Sequence, residues 1–126
     1  MVSALQLLEK FIEKKRMQVG VEFTVPKGRA IAYSLFKNEF AGVVVVHMDA
    51  GTEFPLHYHL GEETIVCTQG NFDIFIQSPG GEWETVKLKP GDKCFIPREY
   101  PHYALIYEHS VCVALLTNPG NDYPDV

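Results

Sequence analysis

Residues 51–70 read GTEFPLHYHLGEETIVCTQG, and the fold is decided here. His57 and His59 sit two apart in a stretch with strand character, Leu56 to His59, which sends both imidazoles to one face. Leu60 and Gly61 allow a tight turn, after which Glu63 opens the next strand and faces back toward the histidines. Two neutral imidazoles and a carboxylate converging on one face suit a first-row metal ion. Tyr58, between the histidines, takes the opposite face and is expected outside. Cys67 shares the alternation parity of Glu63, so it is a candidate for the interior and the pocket.

A second informative stretch, KPGDKCFIPREYPH, occupies residues 89–102. Pro90, Gly91 and Asp92 make a turn, Cys94 to Ile96 a short strand, and His102 leads into another strand. Spacing alone does not bring His102 to the other two histidines.

These two stretches together resemble the cupin superfamily. Gly51, His57, His59, Glu63 and Gly70 satisfy its first motif with every spacer in range. Gly91, Pro97 and His102 match the second in register, with Glu99 where the motif has Gly and Ile106 where it has Asn. The resemblance spans Phe40 to Leu116. It implies an all-β, cupin-type double-stranded β-helix, or jelly-roll, barrel. It also implies that His57, His59, Glu63 and His102 are the ligands of one divalent transition metal. Imidazole–carboxylate sites accept Fe, Mn, Ni or Zn, so the sequence does not name the ion. Four protein ligands leave about two exchangeable positions on an octahedral ion. Cupins use such positions for dioxygenase chemistry or for Lewis-acid chemistry in isomerases, lyases and decarboxylases. The expectation is a metal-dependent enzyme acting on a small polar molecule. The alternative is a non-catalytic cupin that binds a small ligand or metal as a sensor or accessory protein. Small single-domain cupins commonly pair through sheet edges, so the resemblance also implies a homodimer.

The rest of the chain fits one domain. Ser3 with Gln6 reads as a capping box that starts an amphipathic helix over about residues 3–17, with Leu5, Leu8, Phe11 and Ile12 on its apolar stripe. From residue 21 to about 117, short strand-like runs alternate with Gly, Pro and Asn punctuation, the pattern of a sandwich or barrel. The runs are Val21–Val25, Ile31–Lys37, Phe40–Met48, Leu56–His59, Thr64–Thr68, Phe72–Gln77, Trp83–Leu88, Lys93–Ile96, Tyr103–Tyr107 and Val111–Leu116. The tail after Thr117 reads as irregular.

With 126 residues, 46% hydrophobic and 12% aromatic, the chain has the material for one core. Eleven basic against 16 acidic residues give a net charge of −5, with no basic stripe to meet a nucleic-acid backbone. No apolar run reaches the ~18–20 residues of a membrane span, and the N-terminus does not read as a signal peptide. A cytoplasmic location is therefore expected. Cys67, Cys94 and Cys112 are widely spaced and odd in number, which fits neither a disulfide framework nor a zinc finger. His47 and His109 are expected to serve structure or solvent. Weaker substrate-pocket candidates, besides Cys67, are Arg98 and Tyr100 in the loop before His102, and Arg29 and Tyr33 from an early strand. Arg98 is the residue suited to a substrate carboxylate or phosphate.

Overall fold

Alternating apolar and polar residues build ten strands in the computed structural model, which describes Ser3, Ala4, Gln6 and residues 20–119. They are β1 (Val21–Glu22), β2 (Ala30–Lys37), β3 (Ala41–Met48), β4 (Glu53–His57), β5 (Glu63–Gln69), β6 (Phe72–Gln77), β7 (Trp83–Leu88), β8 (Lys93–Ile96), β9 (His102–Ile106) and β10 (Ser110–Thr117). They form a six-stranded sheet in the order β1-β2-β3-β10-β5-β8 and a four-stranded sheet in the order β4-β9-β6-β7, all pairs antiparallel.

The core lies between the two sheets. Val44, Val46 and Met48 of β3 and Cys112 and Leu116 of β10 share it with Phe72, Ile74 and Ile76 of β6. Strand residues of opposite parity face outward, which is the period-two logic of a sheet with one buried face. Tight turns hold the strands in this order. At the β5–β6 hairpin Gly70 has φ +92°, and a Cβ there would meet Ser110 and the His109 carbonyl of β10 and its approach.

Three strand boundaries differ from the sequence reading in ways that matter for the site. The run expected at Leu56–His59 is displaced toward the N-terminus, so His57 ends β4 and His59 lies in the loop beyond it. A register shift between Phe54 and His57, around Pro55, interrupts the pairing of β4 with β9, which resumes at His57. His102, expected to precede its strand, is the first residue of β9 and pairs directly with His57. The first run shrinks from Val21–Val25 to Val21–Glu22.

At the N-terminus, Ser3 and Gln6 exchange the two hydrogen bonds of a capping box, with the Ser3 N–H donating to Gln6 Oε1 at 2.9 Å and the Gln6 N–H to Ser3 Oγ at 3.1 Å. The remainder of the helix expected over 3–17, and the tail beyond Pro119, lie outside the described residues. Among the described residues no helix is long and apolar enough to cross a membrane.

Candidate metal centre

Four elements deliver the inward polar cluster. His57 from the end of β4 and His102 from the start of β9 face each other across a strand pair, ring centroids 4.3 Å apart. His59 comes from the β4–β5 loop, its ring 4.9 Å from that of His57 and 5.1 Å from that of His102. Glu63, the first residue of β5, puts Oε1 3.6 Å from both His59 Nε2 and His102 Nε2.

The β4–β5 loop is tied down on two sides. The Glu99 N–H donates to the His59 carbonyl at 2.8 Å, and the Thr117 N–H donates to the Glu62 carbonyl at 3.0 Å. Gly61, midway between His59 and Glu63, lies against the Thr117 carbonyl so closely that a Cβ would collide with it. Glycine at this position is thus a packing requirement of the site.

The donor chemistry fits a metal ion. One ring nitrogen from each histidine lies within 4.8 Å of the others, the span of ligands around one ion. His57 Nδ1 is 2.6 Å from the Pro55 carbonyl and His102 Nδ1 is 2.9 Å from the Tyr100 carbonyl. A carbonyl only accepts, so each Nδ1 carries the proton and each Nε2 keeps its lone pair. His102 Nε2 is buried and no hydrogen bond satisfies it. Burial, and then the neighbouring His102, hold the His57 pKa below the usual histidine value, which keeps that ring neutral and able to ligate. Glu63 is a fully buried carboxylate at 1% exposure, the kind of charge that a protein interior tolerates only with a strong partner.

This cluster lines one part of a cavity of about 220 Å³. The remaining walls are mostly apolar and include Phe23, Met48, Phe54, Phe72, Ile74 and Ala114. Sequence reasoning did not find Phe23 and Phe54, because Phe23 follows the two-residue β1 and Phe54 borders the register shift in β4, where parity carries little message.

None of the five weaker pocket candidates is among the lining residues. Arg98 is exposed, with its guanidinium 3.9 Å from Glu62. Arg29 forms an exposed ion pair with Glu22. Tyr33 faces outward on β2 and meets the ring of His47 edge-on. Tyr100 contributes its carbonyl to His102 while its ring packs against the core. Cys67 is buried and inward as parity suggested, but it lies behind the wall, and Cys112, its register partner on β10, lines the cavity instead. His47 and His109 stand apart from the cluster, His109 lying 3.7 Å from Asp49.

Two antiparallel sheets enclosing a three-histidine group with an adjacent carboxylate define a cupin barrel. The cupin-domain family profile matches residues 44–117, and the chain belongs to this family. Dimethylsulfoniopropionate lyase DddQ from Ruegeria pomeroyi is 27% identical over 96 residues, covering 71% of this chain and 46% of that protein. The chain thus spans about half the length of this curated relative. Among solved structures, KdgF from Halomonas sp. superposes with a TM-score of 0.67 at 22% identity, over 81% of this chain and 91% of that one. Oxalate decarboxylase from Bacillus subtilis, described with Mn(II) centres, superposes with a TM-score of 0.68 at 16% identity, over 82% of this chain and 29% of that one.

Proposed function

We propose that the chain is a metal-dependent enzyme in which His57, His59, Glu63 and His102 bind one divalent transition ion, Fe, Mn, Ni or Zn. The observation that carries this reading is the convergence of three ring nitrogens within 4.8 Å, beside a buried carboxylate, in the wall of an otherwise apolar cavity. A bound ion would supply Lewis-acid polarisation of a substrate oxygen. Similarity to a protein named as a lyase and to a structure of a decarboxylase supports that chemistry over the dioxygenase alternative. Pro55 and Tyr100 hold the His57 and His102 rings in the ligating tautomer, and the apolar walls orient a small substrate and exclude bulk water.

A second reading, a non-catalytic small-ligand cupin with the same ligand set, is favoured by one feature. Apart from those four residues, the described lining offers only the Thr24 hydroxyl and the Cys112 thiol as protic groups. The reading as an enzyme therefore includes proton transfer through water or the substrate itself. We further propose that the apolar N-terminal stripe belongs to an amphipathic helix packed on the protein, and that the assembly is a homodimer.

The deciding experiment is metal analysis of tag-free protein by elemental mass spectrometry, beside a His57→Ala/His59→Ala variant. The expected result is about one equivalent of a single divalent ion in the wild type and a large loss in the double variant. Wild-type protein that stays empty after anaerobic incubation with each candidate ion overturns the proposal.

A further inference from the structure

We infer that the cavity selects a compact ligand with one chelating oxygen head and an uncharged, apolar tail, and that it excludes ligands with a second anionic group. This rests on the assignment of the four inward residues as metal ligands and extends it to the substrate class.

Charge comes first. Among the described residues lining the cavity there is no lysine or arginine. Arg29 is held by Glu22 and Arg98 lies beside Glu62, both exposed and outside the lining. The one formal charge that the described lining contributes is the Glu63 carboxylate, which repels another anion. A head group bound to a metal has its negative charge compensated there. A carboxylate or phosphate at the other end of the same molecule would lose water with no cation to meet it, a cost of several kcal/mol.

Hydrogen-bonding capacity points the same way. Beyond the four inward polar residues, Thr24 and Cys112 provide the side-chain polar groups of the described lining. A sugar or polyol, with a hydroxyl on each carbon, would leave most of them unsatisfied against Phe54, Phe72, Ile74 and Met48. Size closes the choice. The cavity, about 220 Å³, holds roughly seven water volumes, less than the about 300–1,000 Å³ of sites for drug-sized ligands. Short-chain α-hydroxy and α-oxo monocarboxylates, and oxygen chelators of similar size with a hydrocarbon tail, meet all three conditions.

A matched probe pair tests the inference. α-Hydroxybutyrate and malate share the chelating head and differ in having a methyl or a carboxylate at the far end. Their binding to cobalt(II)-loaded protein is measured by calorimetry and by the change in the cobalt absorption spectrum. The expected result is at least about tenfold tighter binding of α-hydroxybutyrate. Thr24 is exposed where it lines the cavity, so Thr24→Lys adds a cation at the mouth with little disturbance to packing. This variant is expected to narrow the ratio to about threefold or less. Malate binding as tightly as α-hydroxybutyrate to the wild type, or neither probe binding, overturns the inference while leaving a bound cobalt ion as support for the metal site. An unchanged ratio in Thr24→Lys also overturns it, because charge at the cavity would then not set the selectivity. Protein that retains no cobalt removes the metal assignment and this inference together.

Discussion

Glu99 shows how much a single backbone position can say. It is one of two described non-glycine residues with positive φ, at +64°, and its N–H holds the carbonyl of His59. The second cupin motif has glycine at this place, and the conformation explains why. A side chain in the left-handed region costs roughly 1–2 kcal/mol, part of which glycine gives back through its greater freedom in the unfolded chain. Glu99→Gly should therefore raise the unfolding free energy by about 0.5–1 kcal/mol, read as a higher urea midpoint at unchanged slope. Glu99→Ala keeps the Cβ and removes the carboxylate, so it should leave the midpoint where it is. A lower midpoint for Glu99→Gly would show that the carboxylate, not the backbone angle, matters at this position.

At the scale of elements, three neighbouring strands each turn a cysteine inward. Cys112 of β10 lies opposite Cys67 of β5, and Cys94 of β8 lies opposite Ile65 of β5. All three thiols are buried and free. Burial, followed by the negative charges of Glu63 and Glu84, pushes Cys94 from 9.0 up to about 11. Burial, followed by Glu63 and Cys67, raises Cys112 as well. Below pH 9.0 the Cys94 thiol is protonated in both states and its contribution to stability is complete. Between 9.0 and about 11 the unfolded chain ionises while the folded chain does not, so stability falls with rising pH. Cys94→Ala should remove its share of that slope. The wild-type advantage over the variant shrinks by about 2–3 kcal/mol between about pH 8 and pH 11, measured by chemical denaturation. A constant difference across that range would contradict the assignment. The strands that carry these residues were legible because alternation and Gly or Pro punctuation are local signals. The interior face of β5, with Glu63 and Cys67, follows from parity alone. What parity cannot give is which of two neighbouring inward residues borders the cavity, and it is Cys112 rather than its register partner Cys67. Nor could parity see the register shift around Pro55, or that His59 falls in the loop beyond β4. The meeting of His57 with His102 depends on a long-range strand pair, which motif resemblance supplies and local sequence does not. The side-chain directions of Arg98 and Arg29 depend on Glu62 and Glu22, partners that spacing does not announce.

At the scale of the whole molecule, the outer face of the six-stranded sheet carries an apolar row that a soluble monomer would leave wet. Register aligns Phe36 of β2 with Val43 of β3, Leu115 of β10, Thr64 of β5 and Phe95 of β8. Phe36, Leu115 and Phe95 are 52%, 43% and 56% exposed, so the row crosses five strands and ends at the β8 edge. A mostly apolar row of this kind, broken by Thr64, marks an interaction surface more often than chance exposure. A two-fold axis passing near Leu115 would lay the row against its own copy, burying both phenylalanines, and the free β8 edge lies within the same footprint. We expect a homodimer at micromolar concentration, with a mass by light scattering twice that of the 14.2 kDa chain. Leu115→Glu places two like charges together at the centre of that contact and should give a folded monomer, whereas Trp83→Glu, on the outer face of the other sheet, should leave the dimer intact. A wild-type monomer mass would refute the interface. A dimer that survives Leu115→Glu but not Trp83→Glu would move it to the four-stranded sheet, where Trp83 and Phe75 pack around Tyr103.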